Sequence, residues 1–87
     1  MTCYCCSRKK KLFESFVELD TTYGVLRVCA ECNDLLYKLR DDSKDNNSKK
    51  YAEHLNKLNK RKKEPNELYS KWEKEFLSKN PNPEQSI

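Results

Sequence analysis

Tyr23-Gly24-Val25-Leu26-Arg27-Val28-Cys29-Ala30-Glu31-Cys32-Asn33, residues 23–33, is the stretch on which the fold turns. Gly24 permits a turn with positive φ, Val25–Val28 is a short apolar strand, and the strand delivers Cys29 into a C-x-x-C pair with Cys32. A matching pair, Cys3 and Cys6, lies upstream, with 22 residues between the two pairs. Two such pairs at that separation fit a four-thiolate structural zinc site, because a tight turn lets both sulfurs of each pair face one tetrahedral ion. Cys5 is the odd cysteine of five. It is able to replace Cys3 or Cys6, but adjacent Cys5 and Cys6 do not readily point the same way, so Cys3, Cys6, Cys29 and Cys32 are taken as the ligands. Two disulfides with a free thiol, buried reduced cysteines, and an iron–sulfur cluster stand as alternatives.

Working outward from the quoted stretch, Leu12-Phe13-Glu14-Ser15-Phe16-Val17-Glu18-Leu19 is rich in aromatic and β-branched residues and is expected as the first strand of a hairpin. Asp20–Gly24 is its turn. On the other side, Ala30 to Asp42 carries Leu35, Leu36 and Leu39, an apolar stripe at helical spacing. Glu31 and Asp34 favour the positive start of that helix and Arg40 its end. The second cysteine pair is therefore expected at the mouth of a helix. A metal would supply much of the folding free energy of so small a unit.

This order of cysteine knuckle, hairpin and C-x-x-C on a helix start resembles the treble-clef zinc finger over residues 3–42. Residues 23–33 are also similar to the second half of the recombination-endonuclease signature of the HNH group, where a Thr-Gly turn precedes an Arg-containing strand and C-x-x-C-N. The catalytic histidines of that group would precede the turn, where this chain has Glu18-Leu19-Asp20-Thr21. Without a histidine there, no group activates water for attack on a phosphodiester. The distance from glycine to cysteine is also shorter. The resemblance implies a shared scaffold without nuclease activity.

Beyond the helix, residues 43–49 form a polar linker. Residues 50–79 are expected as a two-helix appendage folded into a hairpin, and 80–87 as a disordered tail. Tyr51, Leu55 and Leu58 stripe the first helix, which Pro65 ends or kinks. Asn66 is the expected N-cap of the second, in which Leu68, Trp72 and Phe76 repeat every four residues. That stripe reads as packing onto Leu55, Leu58 or the zinc unit, or as an anchor for a partner protein. His54 has no partner in sequence and reads as a surface or packing residue. The whole is a small α+β zinc-binding fold with a helical hairpin at its C-terminal side.

The chain has 87 residues, of which 36% are hydrophobic and 37% charged, too polar for more than one small core. No run approaches the length of a membrane span, and the first residues lack the apolar region of a secretory leader, so no membrane partner is expected. The net charge is +4. Residues 1–42 contain seven basic and seven acidic side chains, so the surplus arises in the remainder. Two basic runs are candidates for phosphate contact, Arg8-Lys9-Lys10-Lys11 and Lys60-Arg61-Lys62-Lys63. Glu53, Glu64, Glu67, Glu73 and Glu75 interrupt the basic patch, and no aromatic residue interleaves with the lysines as a single-strand binder prefers. No phosphate loop, Ser/His/Asp set or paired-carboxylate motif is present. These features lead to a non-catalytic, cytoplasmic, Zn2+-binding docking module that contacts nucleic acid. The competing expectation is a regulator of a host protein, as in a phage or mobile-element accessory acting in the host cytoplasm. A third is a subunit of a larger assembly. The sequence does not select an oligomeric state.

Overall fold

The computed structural model describes residues 2–64 and 66–83. Two strands, β1 (Val17–Thr21) and β2 (Gly24–Val28), precede three helices, α1 (Ala30–Lys44), α2 (Ser48–Arg61) and α3 (Glu67–Lys79). Together with a cysteine cluster they make a small α+β fold.

The strands pair antiparallel in the register Val17↔Val28, Leu19↔Leu26 and Thr21↔Gly24, which leaves a two-residue loop. Gly24 takes φ 127°, a conformation that side chains disfavour, and the Thr21 hydroxyl donates to its carbonyl at 2.6 Å. Period-two alternation sends Leu26 and Val28 fully inside and leaves Val25 exposed. The first strand is shorter than expected from Leu12. Register supplies the reason: a residue before Val17 would face Cys29, which already caps α1. Residues 12–16 are instead a turn and an approach to the strand.

Cys29 begins α1 with extended backbone and no side-chain cap, since its sulfur points into the cysteine cluster. Leu35, Leu36 and Leu39 form the buried stripe, as the spacing predicts. The helix continues two residues past Asp42, so the polar linker narrows to residues 45–47. Asn46 there has φ 57°, and the Asn47 side chain caps α2 by accepting from the Lys50 amide. α2 then runs back antiparallel along α1. His54 meets Asp42 at 2.6 Å, and Arg61 reaches Glu31 at 2.8 Å. His54 therefore has a partner that lies 12 residues away in sequence.

The Asn66 side chain caps α3 by accepting from the Tyr69 amide at 2.9 Å, as expected. Pro65, the expected helix breaker, lies outside the described residues. α3 packs back against β2, one of the alternatives expected for its stripe. It lies over the hairpin and one side of α1, because those elements carry the apolar surface its stripe covers. Leu68 sits 3.6 Å from where a side chain on Gly24 would begin. Trp72 and Phe76 line a shallow cavity of about 100 Å³ with Leu19, Leu36 and Tyr37. Residues 80–83 are held rather than free: the Tyr51 hydroxyl donates to the Asn80 carbonyl, and the Ser43 hydroxyl to that of Pro81 at 2.8 Å. The rest of the expected tail, 84–87, lies outside the described residues.

One apolar cluster joins all these elements: Leu26, Val28, Leu35, Leu36, Leu39, Tyr51, Leu58 and Tyr69 are buried together with the five cysteines. Burying each such leucine stabilises the fold by about 1.5–3 kcal/mol. No helix among the described residues is long and apolar enough to cross a membrane.

Candidate metal centre

Cys3, Cys6, Cys29 and Cys32 are all buried, and their sulfurs lie within 4.8 Å of one another. Each pair is delivered by a different local device. The first sits on a turn in which the Ser7 amide donates to the Cys3 carbonyl at 2.9 Å and Ser7 takes φ 63°. The amides of Cys6 and Cys29 point at the Cys3 sulfur, at 3.5 and 3.3 Å. The second pair occupies the start of α1, where the helix dipole and free amides favour negative sulfur. The Tyr4 amide donates to the Arg27 carbonyl at 2.9 Å and so fastens the first turn to the strand that delivers the second pair.

The donor set fits a tetrahedral thiophilic ion. Four thiolates about 2.3 Å from zinc would stand about 3.8 Å from one another. The Cys6 and Cys29 sulfurs are 3.8 Å apart. All five cysteines are free thiols. Protonated, the four are crowded: Cys3 is pushed up to about 12, first by its hydrogen bond with Cys32 and then by burial. Burial is also the leading cause that raises Cys6. A dication is the species that reconciles four buried sulfurs with ionisation.

Cys5 is as buried as Cys3, at 1% exposure, but stands outside this set. It lies beside Tyr69 of α3, where it packs the cysteine turn against the last helix.

Arg61 covers the cluster. Its Nε donates to the Cys32 sulfur at 3.4 Å, and its Nη2 approaches those of Cys29 and Cys6 at 3.7 and 3.9 Å. The same Nη2 donates to Glu31 at 2.8 Å. The Cys32 sulfur, foremost, holds the guanidinium above its ordinary range. A four-thiolate dication site carries net negative charge, and such an arginine is the group that offsets it. Arg61, expected as a phosphate contact, lies against the sulfurs and Glu31. The signal for this placement is helix length: α1 has 15 residues and α2 has 14, so the return brings Arg61 level with Glu31 and Cys32.

The other basic candidates divide into held and free. Arg8 is gripped by both oxygens of Glu14, at 3.0 and 2.6 Å. Glu14 in turn titrates at about 2, owing first to Arg8 and then to the Lys11 amide. Lys62 pairs with the buried Glu73. Lys9, Lys10, Lys11, Lys60 and Lys63 have no ion pair among the described residues. The structure brings the two runs together: Arg8, Arg61 and Lys63 line one trough of about 340 Å³ with Cys6 and Ser7. The third candidate set stays apart. Leu68, Trp72 and Phe76 are half-buried against the core, with Trp72 and Phe76 rings 5.1 Å apart.

No protein-family model, curated protein or solved structure matches this chain.

Proposed function

We propose that this chain is a zinc-stabilised docking module of the treble-clef kind, without catalytic activity, that binds nucleic acid through the basic residues around its metal centre. One observation carries the reading. Arg8 of the first basic run and Arg61 and Lys63 of the second, more than 45 residues apart in sequence, line the same trough beside Cys6 of the cysteine cluster. A polyanion laid there would meet Lys63 in the trough. Lys9, Lys10, Lys11 and Lys60 of the same two runs carry no ion pair among the described residues, whereas Arg8 and Arg61 are already engaged by Glu14 and by Glu31 and the sulfurs. Contacts of this kind bind phosphates without selecting sequence.

The order of cysteine turn, hairpin and C-x-x-C on a helix start supports the treble-clef assignment, and the tetrahedral spacing supports zinc. The absence of a histidine before the hairpin turn, and the engagement of His54 by Asp42, support a role without catalysis. The stripe Leu68, Trp72 and Phe76 packs on the hairpin and α1, so the partner-protein reading loses part of its anchor. The cysteines, unpaired by disulfides, support the reading of a reducing, intracellular compartment.

Elemental analysis of purified protein tests the first half: one zinc per chain is expected, and iron or no metal would overturn it. Titration of a labelled duplex and a labelled single strand at several salt concentrations tests the second. Binding whose logarithm falls linearly with the logarithm of salt is expected. Absence of binding to either at low salt would remove nucleic acid as the partner.

A further inference from the structure

The segment between the first cysteine pair and β1 holds the least economical feature of the fold. Leu12 and Phe13 are 84% and 96% exposed, more than any other large apolar side chain among the described residues. Phe13 also has φ 66°, the left-handed region in which a bulky aromatic residue is a genuine outlier. Strain of this kind persists where the surroundings over-determine it, and it gathers at functional positions.

The surroundings here are explicit. The Glu14 amide donates to the Lys11 carbonyl at 3.2 Å, closing a tight turn with Phe13 at its third position. The Glu14 carboxylate accepts from the Lys11 amide at 3.0 Å and from both nitrogens of Arg8. Arg8 lies 5.6 Å over the Phe16 ring, and its carbonyl accepts from the Cys3 amide at 2.9 Å. The turn is thus braced back to the metal centre through Arg8. What the bracing achieves is to hold an aromatic ring in water.

Charge selects the occupant. Lys9, Lys10 and Lys11 immediately precede the tip and carry no ion pair among the described residues. Arg8, which braces the tip, also lines the trough together with Arg61 and Lys63. We propose that Phe13 is a stacking platform for an unpaired base of single-stranded nucleic acid, whose phosphates meet Lys9, Lys10 and Lys11 next to the tip and Lys63 in the trough that Arg8 also lines. This rests on the nucleic-acid reading given above. No aromatic residue interleaves with the lysines in sequence, yet Phe13 follows Lys11 by two residues, and a fixed ring with a free π face next to point charges is what single-strand binding uses. Duplex bases are already stacked and offer such a ring nothing. A flat anionic bilayer would meet the tip but not the concave trough beside it.

The test uses the full zinc-loaded chain and an oligo(dT) strand in fluorescence anisotropy, with Phe13→Ala, Phe13→Leu and a Lys9/Lys10/Lys11→Ala triple variant. Phe13 is solvent-exposed, so both of its variants are expected to fold and retain metal. Both should bind about tenfold or more weakly than the parent, with the salt slope unchanged. The triple lysine variant should reduce the slope itself. Full affinity in Phe13→Ala with loss in the lysine variant would leave the nucleic-acid reading standing and overturn the platform. No binding by the parent would overturn both. Tighter binding to the duplex than to oligo(dT) would overturn the platform alone. Retained function in Phe13→Leu, with the parent partitioning onto phosphatidylserine vesicles, would replace it by apolar insertion into a lipid surface.

Discussion

Arg61 illustrates how one side chain joins the metal centre to the rest of the fold. It touches three of the four cysteine sulfurs and one carboxylate, from the last residue of a helix that begins at the far end of the molecule. Groups that hydrogen-bond metal ligands typically change metal affinity by about 10–100-fold when removed. Arg61→Ala is expected to weaken zinc binding within that range, read by competition with a chromophoric chelator. Arg61→Lys should recover only part, since an ammonium cannot span three sulfurs as a planar fork does. Equal affinity in all three proteins would mean the contact is incidental. Cys5 yields a complementary expectation. Because its sulfur stands outside the cluster, Cys5→Ala should keep full metal stoichiometry, whereas Cys3→Ser should lose it. Cobalt substitution distinguishes them through the thiolate charge-transfer bands.

Elements differ in how far their own sequence settles them. The stripe Leu35, Leu36 and Leu39, the cap Asn66 and the turn glycine Gly24 act through neighbours within about one helical turn, and each is found where the pattern places it. Asn66→Ala should therefore cost about 1 kcal/mol in chemical denaturation, through the lost cap of α3. Leu58 is fully buried where α2 meets α1. Its replacement by alanine should cost about 2–5 kcal/mol, with a lower midpoint and an unchanged slope in urea. A loss well under 1 kcal/mol would show that α2 is not packed as described. The first strand marks the limit of pattern reading. Residues 12–16 have strand composition, but the partner strand ends at Val28, and no sequence pattern within 12–16 reports that.

At the scale of the whole molecule, the cysteine cluster is a hub rather than a peripheral staple. The chain leaves it with the hairpin and α1, returns to it at Arg61, and passes it again where Tyr69 meets Cys5. Chelation is therefore expected to unfold all three helices in one transition, visible as a single loss of far-ultraviolet dichroism. Persistence of about half the helical signal would restore the picture of an independent appendage. Acidification should release the metal in the same cooperative step, because the ligands bind as thiolates and each reprotonates as the metal leaves.

By itself the sequence placed the four-cysteine cluster, the hairpin turn, the three helices and the cap of the last. These rest on spacings of two to four residues, which backbone geometry converts directly into shared faces and facing sulfurs. Tertiary structure alone decided which cations are free, that His54 meets Asp42, that Arg61 covers the thiolates, and that Phe13 is held in water. Those outcomes depend on pairs 12 to 55 residues apart or on where a partner strand stops. They follow from the direction in which each element returns, a quantity that local periodicity does not contain.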